Sequence, residues 1–358
     1  MKKIFLFLLL FNFLFLISYD KCYKKIELIP IDTLSKDVIY DASYFDSTNY
    51  IEYLIKDVKN VHNDLDSLIF FDAKTEERKY GIKFQTSYSL VEYNLHTLDS
   101  IFSIPDYQNK LCQFNRQGEL VNEWDIKLFD DSISYLASWS KPLINDNVIY
   151  CKLGAALRAP AFYNTKHIGM IEFLDGKIIN YKKMINYPDF YRQDSSYLLL
   201  DVNKLIYNNK ELLISYGFSH DLYLYKDDTN YRTVNVKSRY LDTFRYRQLN
   251  YRDQQTEDGN YSNILYDKYR NLYYRVVRHN QNMYNPDGTV NDYWDCSWSI
   301  IFLNSDLSII DEIFFPAKKY LACEVVITSE GILLRNRIIR SIFEKEEHQQ
   351  ILYKLKLD

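Results

Sequence analysis

Arginine and histidine collect where strand-like segments of this chain run out. Arg275, Arg278 and His279 lie within YSNILYDKYRNLYYRVVRH (residues 261–279). Arg158 and His220 end two other apolar segments, and Arg245, Arg247 and Arg252 fall in the polar stretch 237–260. A guanidinium is a planar fork suited to carboxylate or phosphate, so this set fits recognition of an anionic ligand. Ordinary ion pairing is the alternative, because 237–260 also holds Asp242, Asp253, Glu257 and Asp258 and nets only +1. Asn263 and Glu324, near the starts of two strands, are the inward oxygen donors the pattern offers, and such donors suit calcium. Two donors fall short of a cage, so a calcium-dependent hydrolase of the lactonase or esterase type is the competing class. The first reading carries no catalytic residue and no cofactor. GAAL at Gly154 lacks the second glycine and the lysine of a phosphate loop, and no G-x-S-x-G elbow or helically spaced histidine pair exists. NPDGTVNDYWD from Asn285 lacks calcium-loop spacing and reads as a type I turn.

The elements that must carry these residues are strands. Of 358 residues, 34 are Tyr and 21 Phe, with only 9 Gly, a mix that favours pleated, half-buried surfaces. One hairpin type recurs: LIFFDAKTEERKYGIKF from Leu68, LCQFNRQGELVNEWDIK from Leu111, MIEFLDGKIINYKKMI from Met170, LYLYKDDTNYRTVNV from Leu222 and IIFLNSDLSIIDEIFF from Ile300. A sixth first strand, ILYKLKL from Ile351, ends the chain without a partner, and IELIPI from Ile26 supplies it. Starts 43 to 78 residues apart leave room for four strands per unit, the propeller signature. Inner strand pairs precede most hairpins, turning at Asn145 to Asn147, at Asn208 and Asn209, at Lys268 to Asn271, and at Glu330 and Gly331. Asn, Asp and Gly there supply the positive φ of tight hairpins. The fold class is therefore all-β: a six-bladed propeller whose N-terminal outer strand closes the last blade, with two sequential β-sandwiches as the rival.

Numbering strands A to D from axis to rim, the short A–B and C–D turns share one face, and the long B–C and D–A connections share the other. Function collects on long loops carried by a rigid scaffold, so the second face is the expected binding face. Alternation along 272–279 puts Tyr273, Arg275, Val277 and His279 on one side and Tyr274, Val276 and Arg278 on the other. Arg275 then reads as a buried ion-pair or channel-lining residue, leaving Arg278 and His279 at the strand end as site residues.

Lys2 and Lys3 precede an apolar run from Ile4 to Ile17, the order and length of a secretory signal. Residues 1–21 are read as that segment and 22–358 as one propeller domain. Cys22 lies where a bacterial lipoprotein carries its lipid-accepting cysteine, with cleavage after Ser18 as the rival. Loss of 1–21 moves the formal charge from −4 to −6, which disfavours nucleic acid as a partner. Cys112, Cys151, Cys296 and Cys323 are widely spaced and read as buried small hydrophobes.

The hairpins LCQFNRQGELVNEWDI and IIFLNSDLSIIDEIFF, the leader and ILYDKYRNLYYRVVRH together resemble the uncharacterised secreted or lipid-anchored six-bladed propeller families of Gram-negative bacteria, with TolB-like or NHL-like blades. The resemblance implies fold and an envelope location, and it carries over no catalytic residue. The expectation is an exported, monomeric binding module of the periplasm or outer membrane. Its ligand is expected to be an envelope protein, peptide or glycan of anionic character.

Overall fold

The structure is a computed structural model that describes residues 25–33, 41–59, 65–106, 108–128, 135–137, 140–154, 165–193, 202–208, 210–244, 256–338 and 347–357. Strand β1 (Ile26–Thr33) belongs to the last sheet. Blade 1 is β2 (Ala42–Asp46), β3 (Ile51–Lys59), β4 (Leu65–Asp72) and β5 (Arg78–Lys83); blade 2 is β6 (Leu90–Thr97), β7 (Ser100–Pro105), β8 (Lys110–Phe114) and β9 (Leu120–Asp125). In blade 3 the inner strand is split. Both β10 (Tyr135–Leu136) and β11 (Leu143–Asn145) pair with β12 (Val148–Gly154), followed by β13 (Lys166–Leu174) and β14 (Lys177–Asn186). A one-turn helix, α1 (Asp189–Gln193), leads on to blade 4, made of β15 (Val202–Tyr207), β16 (Glu211–Tyr216), β17 (Asp221–Tyr225) and β18 (Tyr231–Asn235). Blade 5 holds β19 (Asn260–Asp267), β20 (Leu272–Arg278), β21 (Trp298–Leu303) and β22 (Ile309–Phe315). Blade 6 runs β23 (Tyr320–Ile327), β24 (Ile332–Ile338), β25 (Glu347–Leu357) and then β1, from Ile26 opposite Leu357 to Thr33 opposite Ile351. This is the expected six-bladed ring with its N-terminal closing strand.

The turn residues explain the local hairpins. Asp146, Asn208 and Asn271 have φ of 51°, 49° and 55° at three A–B turns, and Gly118 and Gly176 have φ of 78° and 73° at two C–D turns. Small polar residues and glycine tolerate this left-handed region at least cost. At Gly118 a side chain is excluded twice over, since a Cβ would meet the Lys83 carbonyl oxygen at 1.8 Å.

Because successive strand residues point to opposite faces, each blade feeds two interfaces, and the buried apolar residues resolve into six clusters, one per interface. In β20 Tyr274 and Val276 pack toward blade 6, whereas Tyr273 and Val277 pack toward blade 4, as alternation requires. Among the described residues the cluster between blades 6 and 1 has the fewest buried members: Leu54, Phe71, Val326, Leu333 and Leu352. Polar bonds supplement it there. Glu52 accepts from the Tyr269 hydroxyl at 2.9 Å and from the Ser329 amide and hydroxyl at 2.9 and 2.5 Å, tying blades 1, 5 and 6. Arg270 donates to the carbonyls of Thr328 and Ser329, and the Ser43 hydroxyl donates to that of Ile327.

Removing residues 26–33 leaves β25 as an unpaired edge. We expect urea unfolding to show a loss of ~3 kcal/mol or more, and light scattering to show concentration-dependent association. An unchanged midpoint with a monodisperse product would show that the closing strand contributes nothing to stability.

Candidate functional site

Around the axis the inner strands pack in sequence, β6 on β11, β11 on β15, β15 on β19, β19 on β23 and β23 on β2. They leave an axial space of about 290 Å³, bounded by residues of blades 1, 5 and 6 and, across the axis, by Lys141 of the segment entering blade 3. Strand direction sets its two ends. β2 starts at the loop face beside Asp41, and β19 delivers the Lys268–Asn271 turn to the opposite face.

At the turn face, Lys268 Nζ lies 5.2 Å from the ring centroids of both Phe45 and Tyr269, which meet edge-on at 6.4 Å. No carboxylate of the described residues comes within ion-pair distance of it. Burial lowers the Lys268 pKa, partly opposed by Glu52, whose oxygens are already engaged by Tyr269 and Ser329. Among the described residues the ammonium is in contact with ring faces and feels Glu52 only at longer range, which leaves it available to an anion.

At the loop face Asp41 and Lys141 line the space, and Asp57, Glu92 and Tyr93 lie behind them. The Asp57 amide donates to Asp41 Oδ2 at 2.8 Å, and the Tyr93 hydroxyl donates to Asp57 Oδ1 at 2.9 Å. Lys141 pairs with Glu92 at 3.6 Å and sits 5.6 Å from the Tyr93 ring. Burial, with the Asp41 charge beside it, raises the Asp57 carboxyl to about 6 against the Tyr93 hydrogen bond. Burial also raises Asp41, opposed by the Asp57 amide and by Arg335, Lys59 and Lys141. Desolvation and then Asp57 push the Tyr93 phenol far above its ordinary value.

Residues 31–313 match the profile of a domain of unknown function (DUF4221). The chain belongs to the DUF4221 family. A crystal structure of a member of that family from Bacteroides vulgatus ATCC 8482 aligns over 94% of this chain and 100% of its own, with a TM-score of 0.70 and 20% identity. A putative exported protein from Bacteroides fragilis NCTC 9343 aligns over 93% and 95%, with a TM-score of 0.50 and 9% identity. These likenesses concern fold. No curated protein matches the sequence.

In this DUF4221 protein several of the expected site residues are scaffold. Arg275 is completely buried, as its alternation suggests, but among the described residues it has no ion pair, and it does not line the channel. Its guanidinium donates to the carbonyls of His220 (2.6 Å), Val236 (2.8 Å) and Ser219 (2.6 Å) and to the Ser215 hydroxyl (3.2 Å), and stacks 3.5 Å from the Tyr261 ring centroid. Burial lowers its pKa to about 10, so it remains charged at neutral pH. Arg278, placed by sequence at an open strand end, is also fully buried. The B–C connection of blade 5 folds back over it. The guanidinium donates to the Tyr293 carbonyl at 2.7 Å and to Cys296 Sγ at 3.3 Å, with the Tyr293 ring 3.6 Å away. His279 is enclosed beside it, with Nε2 2.9 Å from the Ser299 hydroxyl, which donates to Glu312 at 2.6 Å. Burial lowers His279 to about 4, so it is neutral and donates through Nε2.

His220 stands at the loop face. The Ser238 amide donates to the Tyr261 hydroxyl at 3.1 Å, that hydroxyl lies 2.7 Å from Nδ1, and the Asp242 carbonyl lies 3.3 Å from Nε2. A carbonyl only accepts, so Nε2 carries the proton and Nδ1 accepts from Tyr261. Of the oxygen donors, Glu324 pairs with Arg335 at 3.1 Å, and the Asn263 side-chain oxygen accepts from the Ile264 amide at 2.9 Å. Among the described residues, no three His, Cys, Asp or Glu side chains converge as metal ligands. Arg158, Arg245, Arg247, Arg252 and Cys22 lie outside the described residues.

Sequence reasoning missed Asp41, Asp57, Tyr93, Lys141 and the role of Lys268, the last visible only as a turn residue. Two outcomes are expected. An Asp57 pKa raised in the native state makes stability fall as pH rises from the ordinary carboxylate range through about 6. Asp57→Asn, which still accepts from Tyr93, should therefore raise the urea midpoint at pH 7.5 and raise it less at pH 4.5. Changing Arg278 and His279 together to Ala should cost about 3 kcal/mol or more in the same assay, because it empties a buried, bonded site. An unchanged midpoint would identify both as surface contacts.

Proposed function

We propose that this DUF4221 protein is an exported binding module of the cell envelope that seats an acidic group of a peptide or envelope protein in its axial channel. One observation carries the reading: Lys268 faces the channel between two aromatic rings, with no carboxylate of the described residues paired to it. Aromatic and basic lining is what a binding channel requires, and about 290 Å³ accommodates a ligand head group rather than a whole large substrate. Coulombic attraction in a partly desolvated site exceeds that at an open surface, so a single ammonium can select for an anion. The leader from Lys2 to Ile17 supports export, as does the fold shared with a putative exported protein. No helix among the described residues is long and apolar enough to cross a membrane. Lipid attachment at Cys22 would anchor the exported chain, and cleavage after Ser18 would release it.

Titration calorimetry of the chain beginning at Cys22 against short acidic peptides should give binding that weakens with salt. Lys268→Ala should weaken it about tenfold or more, and Lys268→Arg less. Equal affinity for neutral peptides, or binding indifferent to Lys268, rejects the reading. Preference for acidic oligosaccharides would move the ligand to another class, and calcium-dependent turnover of a lactone or aryl ester would favour the hydrolase. Cell fractionation with mass spectrometry should find the chain outside the cytoplasm without residues 1–21, and a free N-terminus upstream of Cys22 would exclude lipid attachment there.

A further inference from the structure

A second concavity of about 410 Å³ opens on the loop face of blade 4, away from the axis and independent of Lys268. Its walls are aromatic. The His220 and Phe244 rings stack at 4.8 Å with 30° between planes, Phe218 meets Phe244 edge-on at 5.6 Å, and Phe190 of α1 contributes a further wall. Its rim is polar and mixed. Asp221 accepts from Asn235 Nδ2 at 2.7 Å, and Asp242 pairs with Lys237 at 3.2 Å while its side chain stays 84% exposed.

The backbone beneath is fixed. Arg275 binds the carbonyls of three successive residues, Ser219, His220 and Asp221, from below. The Phe218 amide donates to the Tyr191 hydroxyl at 3.0 Å. The connection 217–220 lies on an open face, and the buried guanidinium fixes its carbonyls and so preorganises the cleft. His220 is a wall here rather than a base: both ring nitrogens are engaged within the protein, and burial lowers its pKa.

The ligand class follows from the donor and acceptor inventory. Flat apolar walls ask for a ligand with a flat apolar face. A carboxylate beside a carboxamide offers both acceptors and donors, which matches hydroxyl groups, since they both donate and accept. Asn235 Nδ2 spends one proton on Asp221, an ammonium ligand donates only and could not accept its second, and an anionic ligand would meet Asp221 and Asp242. The geometry points to a neutral saccharide site, in which a pyranose ring stacks on Phe244 and its hydroxyls bond to Asp221 and Asn235.

Saturation-transfer NMR and calorimetry on the chain beginning at Cys22 test this with neutral gluco-, manno- and galacto-oligosaccharides, a galacturonate oligosaccharide and choline as probes. At least one neutral oligosaccharide should bind with a Kd of about 1 mM or tighter. Phe244→Ala should abolish that binding. Asp221→Asn, isosteric at the rim, should weaken it about fivefold and keeps the test decisive if loss of Phe244 unfolds the protein. Lys268→Ala should leave it unchanged, which separates this site from the channel. No binding by any neutral probe overturns the assignment, as does affinity indifferent to both variants or preference for choline or galacturonate.

Discussion

The ring exists because its two ends pair. β1 and β25 are the first and last described strands, and their ladder converts an open stack of blades into a closed circle in which every blade has two neighbours. Without it, blades 1 and 6 would each expose an apolar face. Closure also makes the axial space, since inner strands held in a circle cannot approach further than the width of their blades allows. Among the described residues the interface the closure creates, between blades 6 and 1, has the smallest apolar cluster, and the Glu52 and Arg270 bonds gather there. That distribution fits an interface completed last: directional polar bonds fix its alignment where apolar packing is thinner.

Two cations show how the same residue chemistry is turned to structure or to binding. Arg275 and Lys268 both lie over tyrosine rings. Arg275 has its donors answered by carbonyls inside blade 4, so its charge is spent on holding a loop in place. Lys268 has ring faces and the channel. A planar fork can be satisfied by several fixed dipoles at once, whereas a compact ammonium on a flexible stem reaches outward. The abundance of tyrosine serves both cases, because its ring supplies apolar packing and a cation-attracting face together.

The fold was legible because its signals are local. Strand alternation and turn residues such as Asp146, Asn208 and Asn271 act within a few positions, and each hairpin could be read in isolation. The split inner strand of blade 3 escaped notice because its two pieces have two and three residues, too short for any pattern. The site was less legible for a physical reason. Asp57, Tyr93 and Lys141 come from three blades and converge through curvature of the ring, which leaves no spacing in the sequence. Arg278 and His279 misled because a strand end followed by a long connection looks exposed. Whether that connection folds back is decided by Tyr293 and Cys296, some 15 to 18 residues on. Alternation gave the correct side for Arg275 but could not show that its partners would be main-chain carbonyls.

Cys112, Cys151 and Cys296 are free and buried in blades 2, 3 and 5. Burial pushes the first two thiols up to about 12 and raises the third, so in the closed protein all three are shielded and unreactive. Each becomes a labelling target only when its own blade opens. The chain thus carries built-in chemical clocks at three stations around the circle, and the order in which they take up a thiol reagent reports where the ring first comes apart.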